Sequence, residues 1–157
     1  MAEYGYNDLQ TVQPGAAAIL EDIRPCTRCP KLVIHDNMTP NLILRGIARN
    51  VNCCNPKAVY HVAYSGNIAV PEGGTAGEIQ LALSVNGFVR PFTIAAATPA
   101  AAGDFWHVSG STDIYVDAGC CTNVAVVNAS VSATPATTPA PAVDVRNLNV
   151  TIERIAA

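Results

Sequence analysis

Between residues 58 and 85 apolar and polar residues alternate almost without a break, and this period of two limits the fold more than any other feature. Ala58-Val59-Tyr60-His61-Val62-Ala63-Tyr64-Ser65-Gly66-Asn67-Ile68-Ala69-Val70 forms one run. Glu78-Ile79-Gln80-Leu81-Ala82-Leu83-Ser84-Val85 forms another, with Ile79, Leu81, Leu83 and Val85 on one face. Successive side chains on a strand point to opposite faces, so both runs predict half-buried strands. Pro71 to Thr75 is a turn between them. Asn86-Gly87 follows the second run, and both residues tolerate the positive φ of a tight hairpin turn. Phe88 to Thr98 is then the returning strand. Asp8–Val12, Lys31–His35, Asn41–Arg49, Asp104–Asp117, Thr122–Asn128 and Val143–Ile155 add further short strands, with Gly46 as a candidate bulge. In the run from Asp104, Phe105, His107 and Ser109 oppose Trp106 and Val108. The Ala-rich stretch 15–22 is the best helix candidate, but it lies between Pro14 and Pro25 and is read as a strand. Nine or ten short strands separated by turns make an all-β sandwich or barrel. No fixed-period repeat supports a propeller or solenoid.

The 157 residues suit one domain, 1–157, comprising an N-terminal arm and first strands over 1–40 and a Pro/Thr/Ala-rich loop over 132–142. Charged residues are only 13% of the chain, about half the usual share, and the net charge is −3. No basic footprint points to nucleic acid. No apolar run approaches the roughly 20 residues of a membrane-spanning helix. The start, Met1-Ala2-Glu3-Tyr4-Gly5-Tyr6-Asn7-Asp8, lacks the positive flank and apolar stretch of a signal peptide, so synthesis without export by the usual route is expected. So few charges leave more apolar strand surface than one sandwich hides, and self-association is the first expectation.

Six cysteines fall in three pairs: Cys26/Cys29, Cys53/Cys54 and Cys120/Cys121. Cys26-Thr27-Arg28-Cys29 has the spacing of a zinc half-site, which needs two further thiolates. The other pairs are adjacent, and neighbouring strand residues face opposite ways, which hinders chelation. Buried reduced thiols are the main reading. If the protein meets an oxidising environment, a bridge between the Cys53/Cys54 and Cys120/Cys121 turns is the connectivity to test. No cofactor is expected. His61 and His107 lie on alternating strands, as packed or interface residues. Ser65-Gly66 and Ser109-Gly110-Ser111 lack the preceding glycine of a nucleophile elbow. Asp113 and Asp117 lie about 13 Å apart on an extended strand, too far for a glycosidase pair. Nothing assembles an acid, a base and a nucleophile, and a non-enzyme is expected.

Leu42-x-Leu44-Arg45-Gly46, Cys53-Cys54, Tyr60-x-Val62-x-Tyr64-x-Gly66-Asn67-Ile68-Ala69-Val70-Pro71, Gly77-x-Ile79-x-Leu81-Ala82-Leu83, Asn86-Gly87, Thr98-Pro99-Ala100, Gly119-Cys120-Cys121 and Asn147-x-Asn149 form a motif set. With the start Tyr6-Asn7-Asp8-Leu9-Gln10-Thr11-Val12-x-Pro14-Gly15, this set resembles small phage and prophage proteins of gut Firmicutes, of the head-fibre or capsid-decoration kind. Those are similar in pattern to the jelly-roll trimers of tumour-necrosis-factor and complement-head type. The resemblance implies an antiparallel jelly-roll β-sandwich of about 8–10 strands with little or no helix. It implies a homotrimeric virion structural protein on the capsid surface, made in the host bacterial cytoplasm and contacting the major capsid protein. The alternative is a trimeric head that binds a receptor, or host-surface or mucosal glycans, through its loops. No collagen-like stalk precedes the head, which disfavours a spore-surface filament. Tyr64, Phe105, Trp106 and Tyr115 are the candidates for core or trimer-interface aromatics.

Overall fold

A computed structural model describes residues 1–25, 32–47, 57–132 and 139–156. Twelve strands are present among them: β1 (Ala2–Tyr6), β2 (Gln10–Val12), β3 (Glu21–Arg24), β4 (Val33–His35), β5 (Leu42–Arg45), β6 (Lys57–Ala69), β7 (Ile79–Val85), β8 (Phe88–Val89), β9 (Ala95–Ala97), β10 (Trp106–Asp117), β11 (Cys121–Asn128) and β12 (Val143–Ala156). The only helical turn among the described residues is a 3-10 turn at Pro91–Thr93. The strands form two antiparallel sheets. One has the order β10-β6-β12-β1-β3, with β2 also on β12. The other has the order β4-β5-β11-β7-β8, with β9 also on β7. The architecture is an antiparallel jelly-roll sandwich.

The core follows from the alternation. On β6, Ala58, Tyr60, Val62, Tyr64 and Ile68 face inward, opposite Ile79, Leu81, Leu83 and Val85 of β7. Val124 and Val126 of β11 join them. β12 buries Val143 and Val145, then Leu148, Val150 and Ile152. The inward set shifts from odd to even numbers because the ladder with β6 is interrupted between Arg146 and Asn149, where Asn147 adopts φ 51. The extra residue of a bulge reverses which side chains face the core.

Two tyrosines one above the other on β6 join the sheets. The Tyr60 hydroxyl donates to the Arg45 carbonyl at 2.6 Å. The Tyr64 hydroxyl sits 2.9 Å from the Leu81 carbonyl and 2.7 Å from that of Thr93. Each phenol thus buries its ring and still satisfies its polar tip. At the far edge His35 is held by Asp22, 2.6 Å from Nδ1, and by the Thr39 carbonyl, 3.0 Å from Nε2, with its ring edge-on to Tyr4.

Four features differ from the sequence reading. β1 was not expected: it carries no β-branched residue, and its burial comes from being zipped between β12 and β3. The return strand after Asn86-Gly87 is broken, because Pro91 has no N–H for the ladder and starts the 3-10 turn between β8 and β9. The stretch 15–22 is a strand only from Glu21. Before it, Ala17 bridges Val127 and Leu20 bridges Thr39. Gly46 ends β5 rather than bulging within it. A side chain there would overlap the Asp117 carbonyl oxygen.

Candidate functional site

The outward face of the β10-β6-β12 sheet is the most distinctive surface of the described molecule. Pairing register lines its residues up in rows across the strands. Tyr115 lies beside Val59. Asp113 faces His61, which faces Glu153. Ser111, Ala63 and Thr151 form the next row, and Ser109, Ser65 and Asn149 the one after. His107, Asn67 and Arg146 close the series, with the Arg146 guanidinium 3.8 Å above the Phe105 ring. The middle rows hold only small side chains. They leave an open trough of about 400 Å³ lined by Ala63, Tyr64, Ser65, Ser109, Gly110, Ser111, Asn149 and Thr151. Its rim is acidic. Glu3 accepts from the Asn149 amide at 2.7 Å, and Asp113 lies 2.7 Å from His61 Nδ1.

The four nominated aromatics separate here. Tyr64 belongs to the core, and burial holds its phenol protonated well above the usual tyrosine range, a shift that a hydrogen bond from the Ala95 backbone only partly offsets. Phe105 is half-buried at one end of the outward face. Tyr115 stands 63% exposed at the other. Trp106 is not a core residue of this subunit: its side chain is 49% exposed, its indole N–H donating to Asp104 at 3.0 Å. Its place in the period predicts the inward side, but β10 starts there and the described residues leave it half in solvent.

The cysteine readings fare unevenly. Cys26, Cys29, Cys53 and Cys54 lie outside the described residues. Cys120 and Cys121 are exposed, not buried as small hydrophobes, because they occupy the turn that opens β11. The two described ends that flank segment 48–56 both meet that turn. The Gly46 amide donates to the Cys120 carbonyl at 2.8 Å, and Lys57 pairs with Asp117 in the β6–β10 ladder. Among the described residues no three His, Cys, Asp or Glu side chains group as metal ligands.

Two features escaped the sequence reading. In the sequence the serines 65, 109 and 111 suggest only nucleophiles, whereas in the fold their smallness shapes the trough. Phe88 and Phe92 were absorbed into a return strand, yet both stand out of the sandwich. The signal was present: a phenylalanine on each side of a Pro91 that cannot sit inside a sheet.

The chain matches no protein-family profile and no curated protein. Solved structures do match its backbone. The globular domain of a zebrafish complement 1qA protein aligns with a TM-score of 0.53 and 9% identity over 96% of each chain. Eiger TNF from S. frugiperda aligns with a TM-score of 0.56 and 12% identity, over 99% of this chain and 91% of that one. At such identities the likeness is one of fold: the chain is a jelly roll of the complement-head and tumour-necrosis-factor type.

Proposed function

We propose that the chain is a non-enzymatic structural head that assembles as a homotrimer through the outward face of the β10-β6-β12 sheet. The observation that carries this reading is that face itself: a shallow trough of small side chains, uncharged at its centre, and bordered by Phe105 at one end and Tyr115 at the other. Large aromatics at a surface of small residues fit association better than solvation. The His61–Asp113 pair, the nearest approach to an acid–base couple on the face, stands 44% exposed on both sides and is a hydrogen-bonded surface contact. Residues 1–157 act as one unit in this reading, and the likeness in fold to complement and tumour-necrosis-factor domains supports it.

The place of work is the surface of a phage head, as capsid decoration or head fibre in contact with the major capsid protein. The motif resemblance from Tyr6 to Asn149 supports that assignment. Mass spectrometry of purified virions tests it. Recovery of this chain in stoichiometric amounts with the capsid protein is the expected result, and its absence from washed particles overturns it.

Trp106 favours a second reading. Its half-exposed indole, tethered by Asp104, is a ready platform for the apolar face of a sugar ring, as on a receptor- or glycan-binding head. A glycan array separates the two: wild-type binding that Trp106→Ala abolishes supports recognition, and no binding leaves the structural role.

A further inference from the structure

Asn86-Gly87 is the one place in the chain where glycine follows an asparagine, and every other asparagine precedes a larger residue. The difference is chemical. The main-chain nitrogen that follows an asparagine can attack the side-chain carbonyl carbon and close a cyclic imide. A side chain on the attacking residue obstructs that approach, and glycine has none. The approach is open in the fold as well. Asn86 and Gly87 are both exposed, and nothing lies within 4 Å of the position a Cβ would take at Gly87.

The same hairpin holds the asparagine back. Asn86 Oδ1 accepts from the Asn123 main-chain amide at 2.9 Å, and the Asn86 amide donates to the Asn123 carbonyl at 2.8 Å. Asn123 is itself fixed. It pairs with Ile43 in the β5–β11 ladder, and its side-chain amide donates to Asn41 at 3.0 Å. The turn is fixed too, with φ 52 at Asn86, φ 84 at Gly87, and the pairs Val85–Phe88 and Ser84–Val89 closing it. Ring closure needs the Asn86 side chain and the Gly87 nitrogen to rotate toward each other, so the bond to Asn123 has to break first.

We propose that Asn86 is a self-modifying site whose conversion is gated by opening of the β7–β8 hairpin. The Gly87 nitrogen gives up its proton and bonds to Asn86 Cγ. The Cγ–Nδ2 bond breaks, and the nitrogen leaves with a proton as ammonia. Water then adds to one of the two imide carbonyls and opens the ring. One opening leaves aspartate. The other leaves isoaspartate, in which the main chain runs on through Cγ. Water is the only co-reactant. The two products act differently on the hairpin. Aspartate adds a negative charge at the tip and keeps an oxygen acceptor for the Asn123 amide. Isoaspartate adds a carbon to the main chain inside a two-residue turn, and that turn no longer matches the pairing of Val85 with Phe88. Phe88, 78% exposed on this hairpin, then loses its fixed position. The display of Phe88 therefore depends on whether the hairpin has stayed closed.

The test incubates the full chain in mildly alkaline heavy-oxygen water, folded and in urea, and maps the label by peptide mass spectrometry. In urea, label is expected to enter at residue 86 faster than at any other asparagine. In the folded chain that rate is expected to fall about tenfold or more, because the reaction then passes through local opening. Chain carrying isoaspartate at 86, once refolded, is expected to melt below the Asn86→Asp variant, which has the charge without the added main-chain carbon. Labelling at Asn86 no faster than at the other asparagines in urea overturns the site. Equal rates in folded and unfolded chain overturn the gating. Refolded isoaspartate chain that melts with Asn86→Asp overturns the consequence for the hairpin.

Discussion

The two faces of β6 are built from alternate residues of the same thirteen, and they do different work. The inward face is saturated. Its side chains are buried, and the hydroxyls of Tyr60 and Tyr64 are bonded to backbone carbonyls around the facing sheet. The outward face, from Val59 through His61, Ala63 and Ser65 to Asn67, is small, polar and half-covered, with aromatics only toward its ends. The inward face makes the subunit fold, and the outward face is free to meet something else. Substitutions on the inside are therefore expected to act on stability, and those on the outside on assembly.

The largest effect is expected inside. Leu81→Ala opens a cavity under β6 at a fully buried site and costs about 2–5 kcal/mol, read from urea unfolding in the assembled and dissociated states alike. A loss below 1 kcal/mol would show that the inward face is not the cohesive one. Next comes the cysteine pairing. If oxidation closes a bridge between Cys53 or Cys54 and Cys120 or Cys121, it adds about 2–4 kcal/mol, and reductant then lowers the melting temperature of oxidised protein while chelator does not. Destabilisation by chelator instead assigns Cys26 and Cys29 to zinc.

Tyr64→Phe removes one hydroxyl and leaves the carbonyls of Leu81 and Thr93 without it, a loss of about 1–3 kcal/mol. It also changes the alkaline limb. In the folded chain Tyr64 holds its proton above the ordinary phenol value near 10, so its contribution is complete below about pH 10. It is lost as the pH rises further, because the unfolded chain then gives up a proton that the folded one keeps. The variant is expected to show a shallower decline above about pH 10, and equal slopes would remove Tyr64 from that limb. The smallest effect on subunit stability is expected at Trp106. A fully buried tryptophan costs roughly 3–5 kcal/mol on truncation, but this one is half in water, and Trp106→Ala should lose well under that. A loss of the full size in dissociated protein would mean that the indole is covered within its own subunit.

The contrast between faces was legible in the sequence only halfway. Alternation over 58–70 and 79–85 identifies which residues share a face, and Asn86-Gly87 closes the hairpin where expected. Val143, Val145, Leu148, Val150 and Ile152 even carry the bulge in their numbering, as the spacing of two becomes three at Asn147. Period alone does not tell how far a strand end is covered, so Trp106 and Tyr115 could be named as core or interface but not divided between them. β1 escaped for a related reason. Ala2, Tyr4 and Gly5 are buried between β3 and β12, the latter from the far end of the chain, and nothing local announces that. The trough escaped because serines and alanines on a strand look like spacing, and their shape matters only when three strands align them.

Whether the outward face is an assembly surface is decided most directly by the mass of the protein in solution. Light scattering on the purified chain at micromolar concentration is expected to give three times 16.4 kDa, with Tyr115 and Phe105 less accessible than in a dissociated subunit. A stable particle of 16.4 kDa under those conditions would contradict it, and the face would then be an ordinary solvated sheet.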